Sequence, residues 1–226
     1  MTVTRVAVVT NGASGAAPEI MARLRTSGFV VHSLDINDAH HRGTLGEMLA
    51  ALVADGIDLL VNNVPKPIQQ PALQLSCADF ATSIDLGLNS TFSASREAAR
   101  IAVRDGRPLT IVNVISTLAL VGLPGHSAQS CSSAAVLAMT SALAAEWGPS
   151  CIRVVAVMVG PDATWLGDDR AVDDLPGVIP LGALVGYADV AAAIDFLASA
   201  DADLLTGQAL TIDGGWLADG WRREHV

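Results

Sequence analysis

Short apolar, β-branched runs alternate along this chain with longer stretches in which apolar positions recur at helical spacing. The runs predict strands at 5–10, 30–35, 59–62, 110–115, 153–158 and 209–212, and the helical spacing predicts helices at 18–27, 45–55, 79–105, 127–147 and 189–199. Strand and helix in strict alternation call for parallel βαβ units, and so for an α/β, doubly wound parallel sheet with helices on both faces. The pattern breaks only between 160 and 186, where Asp162, Asp168, Asp169, Asp173 and Asp174 make an irregular acidic stretch. A loop of that length is expected to be a lid or a contact surface.

Composition narrows the function classes. At 226 residues with no abrupt shift in composition, residues 1–226 read as a single domain. A formal net charge of −10 argues against nucleic acid and anionic membrane as partners, because both are held by clustered Lys and Arg. No window approaches the roughly 20 uninterrupted apolar residues of a membrane span. The first strand runs directly from the N-terminus into a turn, without the features of a secretory signal, so a cytoplasmic location is expected. Cys77, Cys131 and Cys151 have no metal-ligand or CxxC spacing. They are expected to be buried small apolar residues, and no metal site is assigned.

Several segments in order carry a resemblance: VVTNGASGAA near the start, LLVNN at 59–63, TIVNVIST at 110–117, the stretch from 122 to 147, and LTGQALTIDGGW at 205–216. In this order and spacing the chain resembles the short-chain dehydrogenase/reductase family over nearly its whole length. The resemblance implies a Rossmann-like sheet of about seven strands. The segment from Asp35 to Asp58 is too short for the usual helix, strand and second helix, so the third strand is expected to be lost or reduced.

The family's chemistry uses a Ser closing the fifth strand, a Tyr, a Lys four positions beyond it, and an Asn on the preceding long helix. On this chain those positions fall at Ser116, Gln129, Ser133 and Gly87, so only the serine is retained. The only tyrosine is Tyr187 and the only lysine is Lys66, so no register shift can restore the pair. A phenol with pKa near 10 moves a proton near neutral pH only when a cation stabilises its phenolate. A Gln amide and a Ser hydroxyl supply neither part, and losing a positioned general acid typically costs ~10²–10⁴ in rate. Gln129 and Ser133 are therefore read as neutral residues on a helix face that no longer touches substrate. His126, one helical turn before Gln129, is the best available substitute, although a lone His at a loop-to-helix junction is ordinarily a cap or surface residue. Lys66 reads as a solvated loop charge, and Tyr187 as a packing residue beside the late helix.

Cofactor positions are altered as well. The family's Thr-Gly-x-x-x-Gly-x-Gly turn is present as Thr10 to Ala17, with Gly15 in register, Asn11 and Ala17 in place of the first and last glycines, and Gly12 beside Asn11. Asn tolerates positive φ, so the turn can form, but room for a pyrophosphate is reduced. Asp35 is either an NAD ribose ligand or an ordinary strand-closing turn residue. Asn62 survives from the family's NNAG motif, now followed by Asn63, Val64 and Pro65. Pro161 stands where a backbone donor would hold the nicotinamide amide, and proline has no N–H. Gly12, Gly15, Asp35 and Asn62 are vestigial cofactor residues in this reading: no cofactor is bound tightly, and NAD is the one expected if any is.

What is kept is scaffold. Ala134, Ala135, Ala138, Ala142, Ala144 and Ala145, with Ala94, Ala98, Ala99 and Ala102, sit on the two helices that the family uses to pair subunits. The C-terminal tail adds Trp216, Trp221, Arg222 and Arg223, residue types enriched at interface centres. The reading is a non-catalytic subunit that forms a hetero-oligomer with an intact NAD-dependent member of the family through 79–105, 127–147 and the tail. The intact partner would act on a β-hydroxyacyl-CoA or another secondary alcohol. The alternatives are a nicotinamide-independent lyase, isomerase or cyclase using Ser116 and His126, and an atypical NAD-dependent oxidoreductase.

Overall fold

The computed structural model describes residues 4–36, 45–53, 56–64, 68–162 and 179–219. Among these, β1 (Arg5–Thr10), β2 (Phe29–Leu34), β3 (Leu59–Asn63), β4 (Leu109–Ser116), β5 (Ile152–Val159) and β6 (Ala209–Ile212) form one parallel sheet in the order β2-β1-β3-β4-β5-β6. Six strands stand where the resemblance implied seven. The third strand was expected to be lost or reduced in the segment from Asp35 to Asp58, of which 37–44 and 54–55 lie outside the described residues.

Each central strand is apolar on both sides because helices cover both faces. Val6, Val8, Leu60 and Ile111 face a layer made by α2 (Leu45–Leu52), α4 (Ser90–Asp105) and the end of α5 (Ser127–Trp147). Their neighbours Ala7, Val9, Leu59 and Val112 face α1 (Ala17–Thr26) and α6 (Tyr187–Leu197). This two-residue alternation is the strand period, and the helices close it with fully buried Leu45, Leu49, Ile20 and Leu24. Each such side chain contributes about 1.5–3 kcal/mol by leaving water. A four-residue α7 (Trp216–Asp219) follows β6.

The helix expected over 79–105 is interrupted. α3 (Cys77–Ile84), capped by Ser76 Oγ accepting from the Asp79 amide at 3.0 Å, leads into a π turn over Asp85–Asn89 before α4 begins. Apolar spacing does not separate a turn of one extra residue from a regular one, which is why the sequence reads as continuous. Side-chain hydroxyls serve the carbonyls of the wide turn: Ser90 Oγ donates to Leu86 O, Thr91 Oγ1 to Gly87 O at 2.6 Å, and Ser93 Oγ to Asn89 O at 2.8 Å. Gly106 then ends α4 in the left-handed conformation, at φ 63°.

Burial sorts the small residues of the two long helices. Ala94, Ala98, Ala99 and Ala102 pack into the protein's own core, whereas Ala138, Ala142 and Ala145 face outward from α5. The cysteine expectation is overturned: Cys77, Cys131 and Cys151 are all exposed. Cys77 opens α3, Cys131 lies on the outer side of α5, and Cys151 occupies a left-handed turn at φ 60°, so none reaches the core. Among the described residues no helix is long and apolar enough to cross a membrane. Lys66, the acidic positions 168–174 and Trp221, Arg222 and Arg223 lie outside the described residues.

Candidate functional site

The strand order reverses direction across the sheet between β1 and β3, because β1 connects to β2 on one side while β3 lies on its other. In a doubly wound sheet this switch point opens a crevice beyond the C-terminal strand ends. A cavity of about 350 Å³ lies there, bounded by Ser14 and Gly15 after β1, Asn63 of β3, Ser116 of β4 and Val159 of β5. α5 forms its long wall, and the π turn presents Leu86 and Gly87 to it.

The family positions Gly87, Ser116, Gln129 and Ser133 all line this cavity. Gln129 and Ser133, read from the sequence as neutral residues on a helix face, both border it. Ser116 is buried at the end of β4; its Oγ accepts from the Leu118 amide at 3.2 Å, and its own amide donates to Ser133 Oγ at 3.4 Å. A side chain at Gly87 would be crowded, because a Cβ there would run into Ser132 Oγ and lie 3.1 Å from Ser132 Cβ. The space beside the position of the family's helix asparagine is thus taken by a hydroxyl from α5.

His126 is not the cap or surface residue expected. It is 4% exposed, stands at the head of α5 without capping it, and lines the cavity. Its Nδ1 lies 3.0 Å from Gln129 Oε1 and its Nε2 lies 3.0 Å from Gln69 Nε2. With the amides oriented this way, a ring protonated at Nδ1 donates to Gln129 and accepts from Gln69. Sequence reasoning missed Gln69. It reaches the site because the Gln70 amide donates to Gly125 O at 2.9 Å, tying the segment after β3 against the loop before α5. Nothing in residue spacing signals that contact.

Tyr187, the first residue of α6, packs against the core, as expected, and also lines the cavity together with Asp162. Burial raises its phenol pKa, and the carboxylates of Asp162 and Glu19 add to the rise. Because Tyr187 is the only tyrosine, ultraviolet absorbance reads this group alone. The folded protein is expected to ionise at higher pH than the chain in denaturant, and stability to fall as pH climbs from the unfolded toward the folded value. Coincident folded and unfolded titration curves would refute the burial.

The cofactor positions separate. Gly15 lines the cavity and holds φ 56°. Gly12 lies outside it; its amide donates to Ser33 Oγ at 3.2 Å, and the Ser33 and Met21 side chains occupy the space a Cβ would need. Asp35 is exposed just past β2 and away from the cavity wall. Asn62 is corrected from a cofactor residue to a core residue. Its Nδ2 donates to Ser95 Oγ at 2.9 Å and to Asn113 Oδ1 at 2.8 Å, and Asn113 passes the chain on to Thr140. The strand period turns Asn62 inward and leaves Asn63 at the cavity, where its Nδ2 donates to Ser14 O at 3.0 Å. Pro161 uses its carbonyl to accept from the Val185 amide at 3.0 Å. Among the described residues no group of His, Cys, Asp and Glu is placed to hold a metal ion.

Comparison with known proteins agrees with the architecture. The family model described as enoyl-(acyl carrier protein) reductase matches residues 4–217. A D-threitol dehydrogenase from Mycolicibacterium smegmatis is 31% identical, over 94% of this chain and 92% of that protein. A tropinone reductase homolog from Arabidopsis thaliana is 28% identical over 88% of this chain, which spans only 64% of that relative's length. The crystal structure of acetoin dehydrogenase from Enterobacter cloacae superposes with a TM-score of 0.87 at 26% identity, covering 97% of this chain and 98% of that one. A match along this much of the chain, joined to the parallel sheet and its switch-point cavity, means that the protein belongs to the short-chain dehydrogenase/reductase family of oxidoreductases.

Proposed function

We propose that this chain is a non-catalytic subunit of the family, which assembles with an intact NAD-dependent dehydrogenase subunit acting on a β-hydroxyacyl-CoA or another secondary alcohol. One observation carries the reading: Gly87, Gln129 and Ser133 stand at the cavity in the proton-relay positions with no phenol or cation among them, and Ser132 closes the space at Gly87. The residues present also do not fit a nicotinamide dinucleotide well. The Gly12 amide is taken by Ser33, Asn62 is turned into the core, and Pro161 offers no donor. The outward Ala138, Ala142 and Ala145 leave one face of α5 open to close approach by a partner helix.

Purification from the native host under mild conditions, followed by mass analysis, is expected to recover a related subunit that carries the Tyr-x-x-x-Lys pair. The chain alone is expected to show no saturable quenching or enhancement of NADH fluorescence up to millimolar cofactor. A homo-oligomer that binds and turns over NADH would overturn the proposal.

A second reading, a nicotinamide-independent lyase, isomerase or cyclase, is favoured by the burial of His126 at the cavity with Ser116. On an identified substrate, His126→Ala would then lower turnover by ~10²-fold or more, the scale of a lost general base. An undiminished rate in that variant excludes His126 as the base.

A further inference from the structure

We infer that β2 is a self-association edge, which pairs antiparallel with the β2 of a second copy of this chain and joins two sheets into one of twelve strands, six from each copy. This goes beyond the subunit reading and uses another surface, because α5, which carries the contact proposed there, packs on β4 and β5 and away from β2. Among the described residues β2 pairs with β1 alone, so its other side is an open sheet edge. Leu34 O accepts from the Asn11 amide and the Ile36 amide donates to Asn11 Oδ1, both on the β1 side. Along a strand the N–H and C=O of one residue point the same way, and the direction alternates from residue to residue. Val30, His32 and Leu34 therefore serve β1, and Phe29, Val31 and Ser33 direct their backbone groups to the open side.

Edge strands are ordinarily protected from pairing by charge, proline, a bulge or shortness. Phe29–Leu34 has none of these: its six residues run in unbroken register with β1, without an acid, a Lys, an Arg or a Pro, and Val30 is 45% exposed. The opposite edge, β6, is kept to four residues.

Charge selects the partner and its direction. The entry to β2 is basic: Arg25 is exposed on the last turn of α1, and Arg5 lies over the Phe29 ring and donates to Ser27 O at 2.9 Å. Arg23, in the same corner, is paired with Asp195. The exit is acidic, at exposed Asp35. A second copy running antiparallel sets each basic entry against the other's acidic exit, whereas a parallel approach sets like charge against like. A two-fold axis through Val31 gives the register. Val31 then exchanges both backbone bonds with its own copy, Phe29 does so with Ser33, and Asp35 falls opposite Ser27 beside the basic corner.

Two six-residue edges make a small interface, so sedimentation of the purified chain is expected to show a reversible dimer with Kd of roughly 10–100 µM. Val31→Pro deletes an outward N–H without touching the ladder to β1, and is expected to raise Kd ~10-fold or more, the worth of the two hydrogen bonds lost per dimer. Arg25→Glu and Asp35→Arg are each expected to weaken the dimer ~3-fold or more, and the double variant to restore it. Ala138→Arg, on the outward face of α5, is expected to leave it intact. With Cys77→Ser, Cys131→Ser and Cys151→Ser in place, Val31→Cys is expected to cross-link to its own copy on mild oxidation, because a Cα separation of about 5.5 Å in such a pair suits a disulfide. Ser33→Cys, which faces Phe29 of the other copy, is expected not to. A chain that stays monomeric to about 1 mM overturns the inference. So does a dimer that is indifferent to Val31→Pro or lost in Ala138→Arg, a double charge swap that fails to restore pairing, or equal cross-linking at 31 and 33. All of these measurements use the chain alone, so they fail or succeed separately from recovery of a related subunit from the native host.

Discussion

Gly87→Asn, which restores the residue type that the family carries on its long helix, is expected to destabilise this protein by about 1–3 kcal/mol, the usual range for overpacking. Replacing a helical glycine ordinarily gains a few tenths to about 1 kcal/mol from backbone entropy, so the two effects oppose each other. Packing wins here because the new Cβ meets Ser132 on two atoms. The hydroxyl can swing aside, but Ser132 Cβ, 3.1 Å from the new atom, is fixed to α5. At about 2–4 °C per kcal/mol for a chain of this size, thermal melting resolves the loss. Ser132→Gly in the same chain is expected to recover most of it, with a coupling of ~1 kcal/mol or more between the two sites. Simple additivity of the two substitutions would mean that Ser132 is not what closes the position. The same pairing bears on any attempt to rebuild the relay: Tyr at 129 and Lys at 133 would still lack the third partner until Ser132 is reduced.

The fold was legible because strand and helix periods are written in side-chain alternation. β6 matched the predicted 209–212, and the other strand boundaries fell within one residue of their predicted positions at each end. The site was legible in membership but not in orientation. Gly87, Ser116, Gln129 and Ser133 were placed by the resemblance to the family's pattern, and all four meet at one cavity. What spacing could not convey was which way a neighbouring pair divides between core and crevice. Asn62 and Asn63 are adjacent and chemically identical, and only the register of β3 against β1 and β4 sends one to Asn113 and the other to Ser14. His126 was misread for a similar reason. Its burial depends on Gln69, which reaches it across the fold through a backbone bond that no local pattern encodes. The π turn escaped because it changes the hydrogen-bond partner, not the residue types, along an otherwise helical stretch.

Two positions beside the crevice share a local arrangement. Ser33 takes the Gly12 amide and Ser132 takes the space at Gly87. In each case a short hydroxyl side chain from an adjacent element stands beside the glycine. A site merely abandoned would be expected to show loose polar groups. Among the described residues the buried side-chain atoms without a partner are only Asn62 Oδ1 and Thr117 Oγ1.

Asn11 makes the sharpest case, and Asn11→Ala is expected to cost about 2–4 kcal/mol. The residue is buried and sits at φ 53°, where the family's pattern has glycine. Its Oδ1 accepts from the Ile36 amide at 3.2 Å and its Nδ2 donates to Asn63 O at 2.7 Å, so one side chain ties together the ends of β1, β2 and β3. The two bonds are not equal in consequence. Asn63 O keeps a second donor in Thr10 Oγ1 at 3.1 Å, whereas the Ile36 amide, on a buried residue, loses its only partner among the described residues. An unsatisfied buried amide accounts for about 1–3 kcal/mol, and holding Ala in the left-handed region adds about 1 kcal/mol more. Asn11→Gly removes the same bonds but relieves the backbone, so it is expected to melt between the wild type and Asn11→Ala. If both variants melt within a degree of the wild type, the side chain is not a strut. If Gly melts above the wild type, the turn still prefers the flexible residue suited to a phosphate. The expected order, wild type above Gly above Ala, would mean that the Asn11 side-chain bonds contribute more to stability than the strain of its left-handed backbone costs.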